Sequence, residues 1–319
     1  MNRTLLLAAK VGVSLALLAY LLSTTDLSAL HRRLRGGDTL LLAGAVALYT
    51  GILALSTWRW RVLLQAQGYD APVRHLSASY LVANFFNNFL PGNIGGDLVR
   101  VRDSSRLTGS TTASVAVIAI DRILGFSALY FLALTAFLVG PARLRGLGGV
   151  VPALAVLTVI FAVLAYIFFR PGTARRLMSA TGLDAMPWMR DRFEVVQAAV
   201  NVYRQQVTAV WMALAASVAL QALVVCYFYD VAHSLHIPLS FAACFLVVPL
   251  CILAQAVPIS FNGWGIRESV FVLYFGQLGV PRDSTLAFSL VGAGLMVLLS
   301  LAGAVVWTSR AATPAVPAE

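Results

Sequence analysis

The sequence predicts an all-α polytopic transmembrane bundle that carries two re-entrant hairpins in an inverted repeat. Three observations predict it. The 319 residues are 60% hydrophobic and only 11% charged, where a soluble domain carries about a quarter charged residues. With a mean hydropathy of +0.83, the chain cannot cover itself with polar surface. Several apolar runs approach the roughly 20 residues that a helix needs to span hydrocarbon. Two of those runs end in helix-breaking loops with a common pattern, P-x4-G-x3-R: Pro91, Gly96 and Arg100 in the first, Pro258, Gly263 and Arg267 in the second.

The elements follow in order. Residues 4–23 form the first apolar run. Arg3 precedes it, Lys10 (the only lysine) interrupts it and no small-residue cleavage site follows. It therefore reads as a retained transmembrane helix rather than a signal peptide. Further apolar helices are expected at 39–60, 76–90 (short), 111–139, 147–169, 206–229, 241–257 and 284–307, with a shorter one at 269–277. Trp58, Trp60, Trp211 and Trp307 lie near predicted ends, where aromatic belts form.

Arginine placement orients the chain. With the N-terminus in the cytoplasm, the inner loops carry Arg59, Arg61, Arg74, Arg100, Arg102, Arg106 and the arginines between 170 and 204. The outer loops carry Arg32, Arg33, Arg35, Arg143, Arg145, Arg267 and Arg282. The bias is about two to one toward the cytoplasm, and both termini fall inside. This count works only if two segments do not cross. Residues 76–90 must enter from the cytoplasm and return to Arg100; residues 241–257 must enter from outside and return to Arg267. Irregular backbone at membrane depth is tolerated where protein or water covers it. Opposite entry of two similar units is the pattern of an inverted-topology repeat. The chain then reads as one domain over 1–310, with half-repeats at about 39–139 and 206–308. Residues 170–204 are a basic connector whose Phe193, Val196, Val200 and Tyr203 suit an amphipathic helix on the cytoplasmic leaflet. The tail at 311–319 is expected to be disordered.

Composition narrows the chemistry. The net charge of +10 fits cytoplasmic loop cations better than nucleic-acid binding. Cys226, Cys244 and Cys251 are odd in number and lack a CxxC pair, so neither disulfides nor a metal knuckle is expected. No Walker A, HExxH, GxSxG or kinase motif is present. No metal, cofactor or catalytic step is predicted.

Polar residues in apolar surroundings mark the candidate site. Asn84, Asn87, Asn88, Pro91, Gly92, Asn93, Gly95, Gly96, Asp97 and Arg100 crowd the first broken loop. Glycine backbone, a helix start near Asp97 and Arg100 together suit a phosphate. The asparagines equally suit the plain task of satisfying broken-helix carbonyls. Asp121 and Arg122 lie mid-way along a predicted span, where a charge costs at least ~2.5 kcal/mol. As neighbours on a helix they do not face each other, so each is expected to find a partner on another segment. Gln255, Asn262, Trp264, Gly265, Arg267 and Glu268 surround the second loop, for headgroup contacts or for an interfacial salt bridge.

Three strings carry a family resemblance. They are Asn87-Asn88-Phe89-Leu90-Pro91-Gly92-Asn93-Ile94-Gly95-Gly96-Asp97-Leu98-Val99-Arg100, Asp121-Arg122-Ile123-Leu124-Gly125, and the segment from Pro258 through Asn262-Gly263-Trp264-Gly265-Ile266-Arg267-Glu268. The chain resembles the lysylphosphatidylglycerol synthase transmembrane region, or flippase-like domain, family from about residue 5 to 310. The resemblance implies a bacterial inner-membrane protein that moves an anionic phospholipid, glycolipid or related lipid between leaflets. It implies an inner cavity lined by Asn87, Pro91, Gly95, Gly96, Asp97 and Arg100, and an outer one by Gly263, Trp264, Gly265, Arg267 and Glu268. Asp121 stands where many members have Glu. The expected absence of a C-terminal aminoacyl-transferase domain argues against lipid synthesis by this chain. Membrane lipids are the expected partners, together with a second copy or a lipid-biosynthesis enzyme. The alternatives are an accessory subunit or enzyme of lipid modification, and a small-solute secondary transporter.

Overall fold

The computed structural model describes residues 36–89, 95–180, 187–257 and 262–311. The expected helix at 4–23 and residues 312–319 lie outside the described residues, as do Pro91, Gly92, Asn93 and Pro258. The described residues fold into α-helices without strands. In chain order these are α1 Thr39–Ala66, α2 Val73–Phe89, α3 Gly95–Thr108, α4 Thr111–Val139, α5 Ala142–Arg145, α6 Val150–Phe169, α7 Pro171–Ala180, α8 Pro187–Gln205, α9 Val207–Ser234, α10 Phe241–Gln255, α11 Ile266–Gln277 and α12 Arg282–Ala311. Of these, α1, α4, α6, α9 and α12 are long and apolar enough to cross a bilayer.

Side-chain caps start several helices. Asp38 accepts the Leu40 N–H at 2.8 Å, and Ser110 and Ser240 accept those of Ala113 and Ala243 at 3.2 Å each. Each cap satisfies a donor that a helix start leaves orphaned. Arg170, extended before Pro171, closes α6. The helices outrun the apolar runs: α1 continues six residues past Trp60 to Ala66, and α9 five past Tyr229 to Ser234. Twenty-eight residues span about 42 Å, more than the hydrocarbon thickness, so polar residues remain helical beyond it. The described part of the connector forms two helices, and α8, with Ala199 and Tyr203 buried, packs on α4 and α9.

The centre is an antiparallel pair, α1 with α9. The Asp38 N–H donates to Ser234 O at 2.8 Å, the Tyr49 and Tyr227 rings lie 6.0 Å apart, and just before α9 the Tyr203 hydroxyl of α8 donates to Leu63 O at 3.0 Å. These contacts define two ends of the bundle, one marked by residues 38 and 234, the other by 66 and 203. Helices α2 and α3 fold back on each other. The Gly96 N–H donates to Asn87 Oδ1 at 2.8 Å, Ser79 bonds Asp103, and the Tyr69 hydroxyl donates to Thr108 O at 3.3 Å. This pair therefore opens at the end marked by residue 66.

Helices α10 and α11 fold back likewise, with Cys251 Sγ 3.7 Å from Arg267 O. They open at the other end. Phe241, which starts α10, has its ring 5.1 Å from that of Tyr229, near the end of α9. At the end of α11, Leu278 O accepts from Arg143 at 2.6 Å, and Gln277 accepts from the Gly148 N–H at 2.7 Å. Helix α4 packs on α10, and α12 on α2. The main core is aromatic: Phe271 lies 5.0 Å from Phe288 and 5.6 Å from Phe228. A second core gathers Trp60, Leu63, Leu64, Leu76 and Tyr203 near the opposite end. Helix α6 keeps Val151, Val156, Val159, Ile160 and Val163 exposed, an apolar face suited to lipid.

Candidate functional site

The first motif copy delivers charge to a buried network. Helix α3 presents Asp97 and Arg100 from its first turns, α4 presents Asp121 and Arg122, and α1 contributes Arg59. Asp121, 2% exposed, lies between two guanidinium groups: Arg59 Nε is 2.7 Å from Oδ1 and Arg100 Nη1 2.9 Å from Oδ2. Arg122 pairs with Asp97, whose Oδ1 also lies 3.9 Å from Arg100 Nη1. Asp121 and Arg122, adjacent in sequence, thus pair on different segments as the helical geometry required. Arg59 Nη1 donates further to Ser217 at 2.8 Å. The Arg100 guanidinium carbon lies over the Trp60 ring at 4.7 Å and over the Tyr80 ring at 5.1 Å, so two rings turn negative π-density toward its charge.

The second copy is built differently. Arg267 clasps the next residue, Glu268, with Nε at 2.9 Å and Nη2 at 2.7 Å from Oε1. Ser289 on α12 donates to the same oxygen at 2.8 Å, and the Gly265 N–H donates to Oε2 at 2.7 Å. Glu268 is fully buried and saturated, while Trp264 covers the Arg267 guanidinium at 4.6 Å. The turn before α11 takes left-handed backbone at Asn262, Gly263 and Gly265 (φ +50°, +74° and +83°). Glycine and asparagine visit that region at least cost.

The two copies meet. Asn262 Nδ2 lies 3.5 Å from both Oδ1 and the backbone oxygen of Asn88. Asn84 accepts from the Tyr49 hydroxyl at 3.0 Å, and Asn88 donates to Asn84 O at 3.1 Å. Asn87 caps the Gly96 N–H, and Gln255 donates to Cys251 O at 3.2 Å. Asn87, Asn88, Gln255 and Asn262 thus reach main chain, and Asn84 pairs with a tyrosine side chain.

Two placements differ from the sequence expectation. Arg59 and Arg100 are buried helical residues paired to Asp121; the sequence reading counts both with cytoplasmic loop cations and places only Arg100 also in the candidate site. The carboxylate recovers part of the desolvation cost, which a lone buried guanidinium would bear in full. Arg310, expected only to mark an end, reaches Asp103 at 3.2 Å and His75 O at 3.0 Å, tying the end of α12 to the open end of α2 and α3. Arg59, Trp60, Tyr80, Ser217 and Ser289 were not among the predicted site residues. Only Arg59 carried a signal, as an arginine between two tryptophans in the last turns of an apolar run. No group of three His, Cys, Asp or Glu suited to a metal occurs among the described residues.

A buried ion network inside an apolar multi-helix bundle defines a polytopic membrane protein with a polar interior. The chain belongs to the family of the lysylphosphatidylglycerol synthase TM region, whose model matches residues 7–303. That span contains both motif copies and every residue of the network. Membership makes this a multi-pass membrane protein of lipid-related function. No curated protein sequence matches the chain.

Proposed function

We propose that the protein moves an anionic lipid between the leaflets of a bacterial inner membrane. The observation that carries the reading is the pair of folded-back helices, α2–α3 and α10–α11, which open at opposite ends of the bundle and touch through Asn88 and Asn262. In a bilayer these become re-entrant hairpins from opposite faces. Packing supports an inverted repeat: α1, α2, α3 and α4 correspond to α9, α10, α11 and α12. In each half the second helix packs on the third, the third on the fourth, and the second also on the fourth helix of the other half. The two halves then rock about the α1–α9 pair and expose the polar interior to each leaflet in turn. The reading assigns no bond-making step to the chain. The headgroup travels along the arginines while the acyl tails stay in lipid.

Reconstitution of the purified protein in liposomes tests this. Fluorescent phosphatidylglycerol should cross between leaflets faster than in protein-free vesicles. Absence of movement for every phospholipid and glycolipid class tried would overturn the proposal. It would favour an accessory role, visible as loss of a modified lipid in a deletion strain.

A further inference from the structure

The motif copies align Arg100 with Arg267 and, one residue on, Val101 with Glu268. The consequence lies in one edge of the guanidinium. Nε–H and Nη2–H point the same way and form the fork that grips two oxygens of a carboxylate or phosphate. In Arg267 that fork is spent on Glu268 Oε1. In Arg100 the same two nitrogens, Nε and Nη2, are buried and have no hydrogen-bond partner, while Nη1 is used by Asp121. The next residue is valine and supplies no anion. Arg100 is only 5% exposed, so water does not readily replace the missing acceptor. A buried, unpaired donor is costly and calls for an explanation.

Charge points the same way. Among the described residues of the first network, three arginines (Arg59, Arg100, Arg122) face two aspartates (Asp97, Asp121), leaving one positive charge. The second network, Arg267 with Glu268, is neutral. The Trp60 and Tyr80 rings and the Nη1–Asp121 bond hold the Arg100 guanidinium in place. The part-exposed Arg122–Asp97 pair lies beside it and forms a rim.

We propose that the Nε–Nη2 fork of Arg100 binds a monoanionic phosphate group, and that the second motif copy carries its own permanent substitute for that anion in Glu268. This deepens the transport reading and rests on it for the source of the phosphate, a lipid phosphodiester. Binding is then asymmetric. The first half holds the headgroup; the second, already neutralised, lets it go. Arg59 is a positioning residue here: it offsets Asp121, so that the charge of Arg100 is not fully consumed.

The test is native mass spectrometry of the full chain in micelles, titrated with phosphatidylglycerol, diacylglycerol of the same acyl chains, or inorganic phosphate. Phosphatidylglycerol should bind at least tenfold more tightly than diacylglycerol. Val101→Glu places in the first copy the carboxylate that the second possesses and should abolish that preference, while Val101→Gln should keep it. Arg100→Gln should also abolish it, and Arg59→Lys should retain it where Arg59→Gln weakens it. Equal binding of the two lipids by the unaltered protein overturns the site, and needs no variant to fold. So does a Val101→Glu protein that prefers phosphatidylglycerol as strongly as Val101→Gln. Saturable inorganic phosphate binding sensitive to Val101→Glu, without a lipid preference, keeps the anion fork and overturns the lipid source. Selective binding without transbilayer movement sinks the transport reading alone. Movement without selective binding sinks this site alone.

Discussion

Replacing Asp121 by Asn should cost more stability than any other single change in the first network. Asparagine keeps the volume but removes the charge that faces Arg59 at 2.7 Å and Arg100 at 2.9 Å. With charge centres near 4 Å and an effective dielectric of about 20, each pair is worth roughly 4 kcal/mol before desolvation. The cations cannot escape to water, because both are buried. Breaking a buried pair by removing one partner typically costs about 3–5 kcal/mol, and here one partner serves two cations. We therefore expect a loss of about 4 kcal/mol, read as a shifted denaturation midpoint of the micellar protein. Asp97→Asn provides the contrast. Its partner Arg122 has a third of its side chain exposed, so solvent screens the pair and the loss should be about 1 kcal/mol. An Asp121→Asn protein within about 1 kcal/mol of the parent would refute the claim that Asp121 anchors the network.

Other changes follow from the same packing. A methyl at Gly96 would run into the Ala83 carbonyl and sit 2.7 Å from Asn87 Cγ; Gly96→Ala should destabilise by about 1–3 kcal/mol. Gly294→Ala, with nothing within 4 Å, should be neutral or stabilise by about 0.5–1 kcal/mol, measured in the same denaturation assay. Glu268→Gln leaves Arg267 buried without its carboxylate and should cost about 3–5 kcal/mol. Arg310→Ala and Asp103→Ala should couple by about 1 kcal/mol in a double-mutant cycle, because their pair is partly exposed.

Helix content was legible because span length and apolar composition are set by the bilayer itself. Each of the five long helices coincides with an apolar run read from the sequence. The polar positions were legible for the same reason: Asp121 and Arg122 stand out in a run that otherwise excludes charge. Their partners were not. The 40 positions between Arg59 and Arg100 say nothing of a shared aspartate, since that contact depends on how α1, α3 and α4 cross. Nor could local pattern separate a loop arginine from a buried one. Arg59 and Arg61 are two residues apart, yet one meets Asp121 in the interior and the other Asp70 at the surface, because helical geometry turns them about 200° apart. The aromatic walls of Arg100 were hidden likewise: Trp60 suited a membrane-interface belt, and only packing against α3 brings it beneath the guanidinium.

Opposite entry of the two hairpins is the claim on which the functional account stands, and sided cysteine labelling measures it directly. Single cysteines at Asp70 and Arg106 flank α2–α3; at Pro238 and Gly276 they flank α10–α11, and all four positions are exposed. In right-side-out and inverted vesicles, with the native cysteines replaced by alanine, an impermeant maleimide should reach the first pair from one face and the second pair from the other. If the two members of either pair label from opposite faces, that segment crosses the membrane and the re-entrant account is wrong.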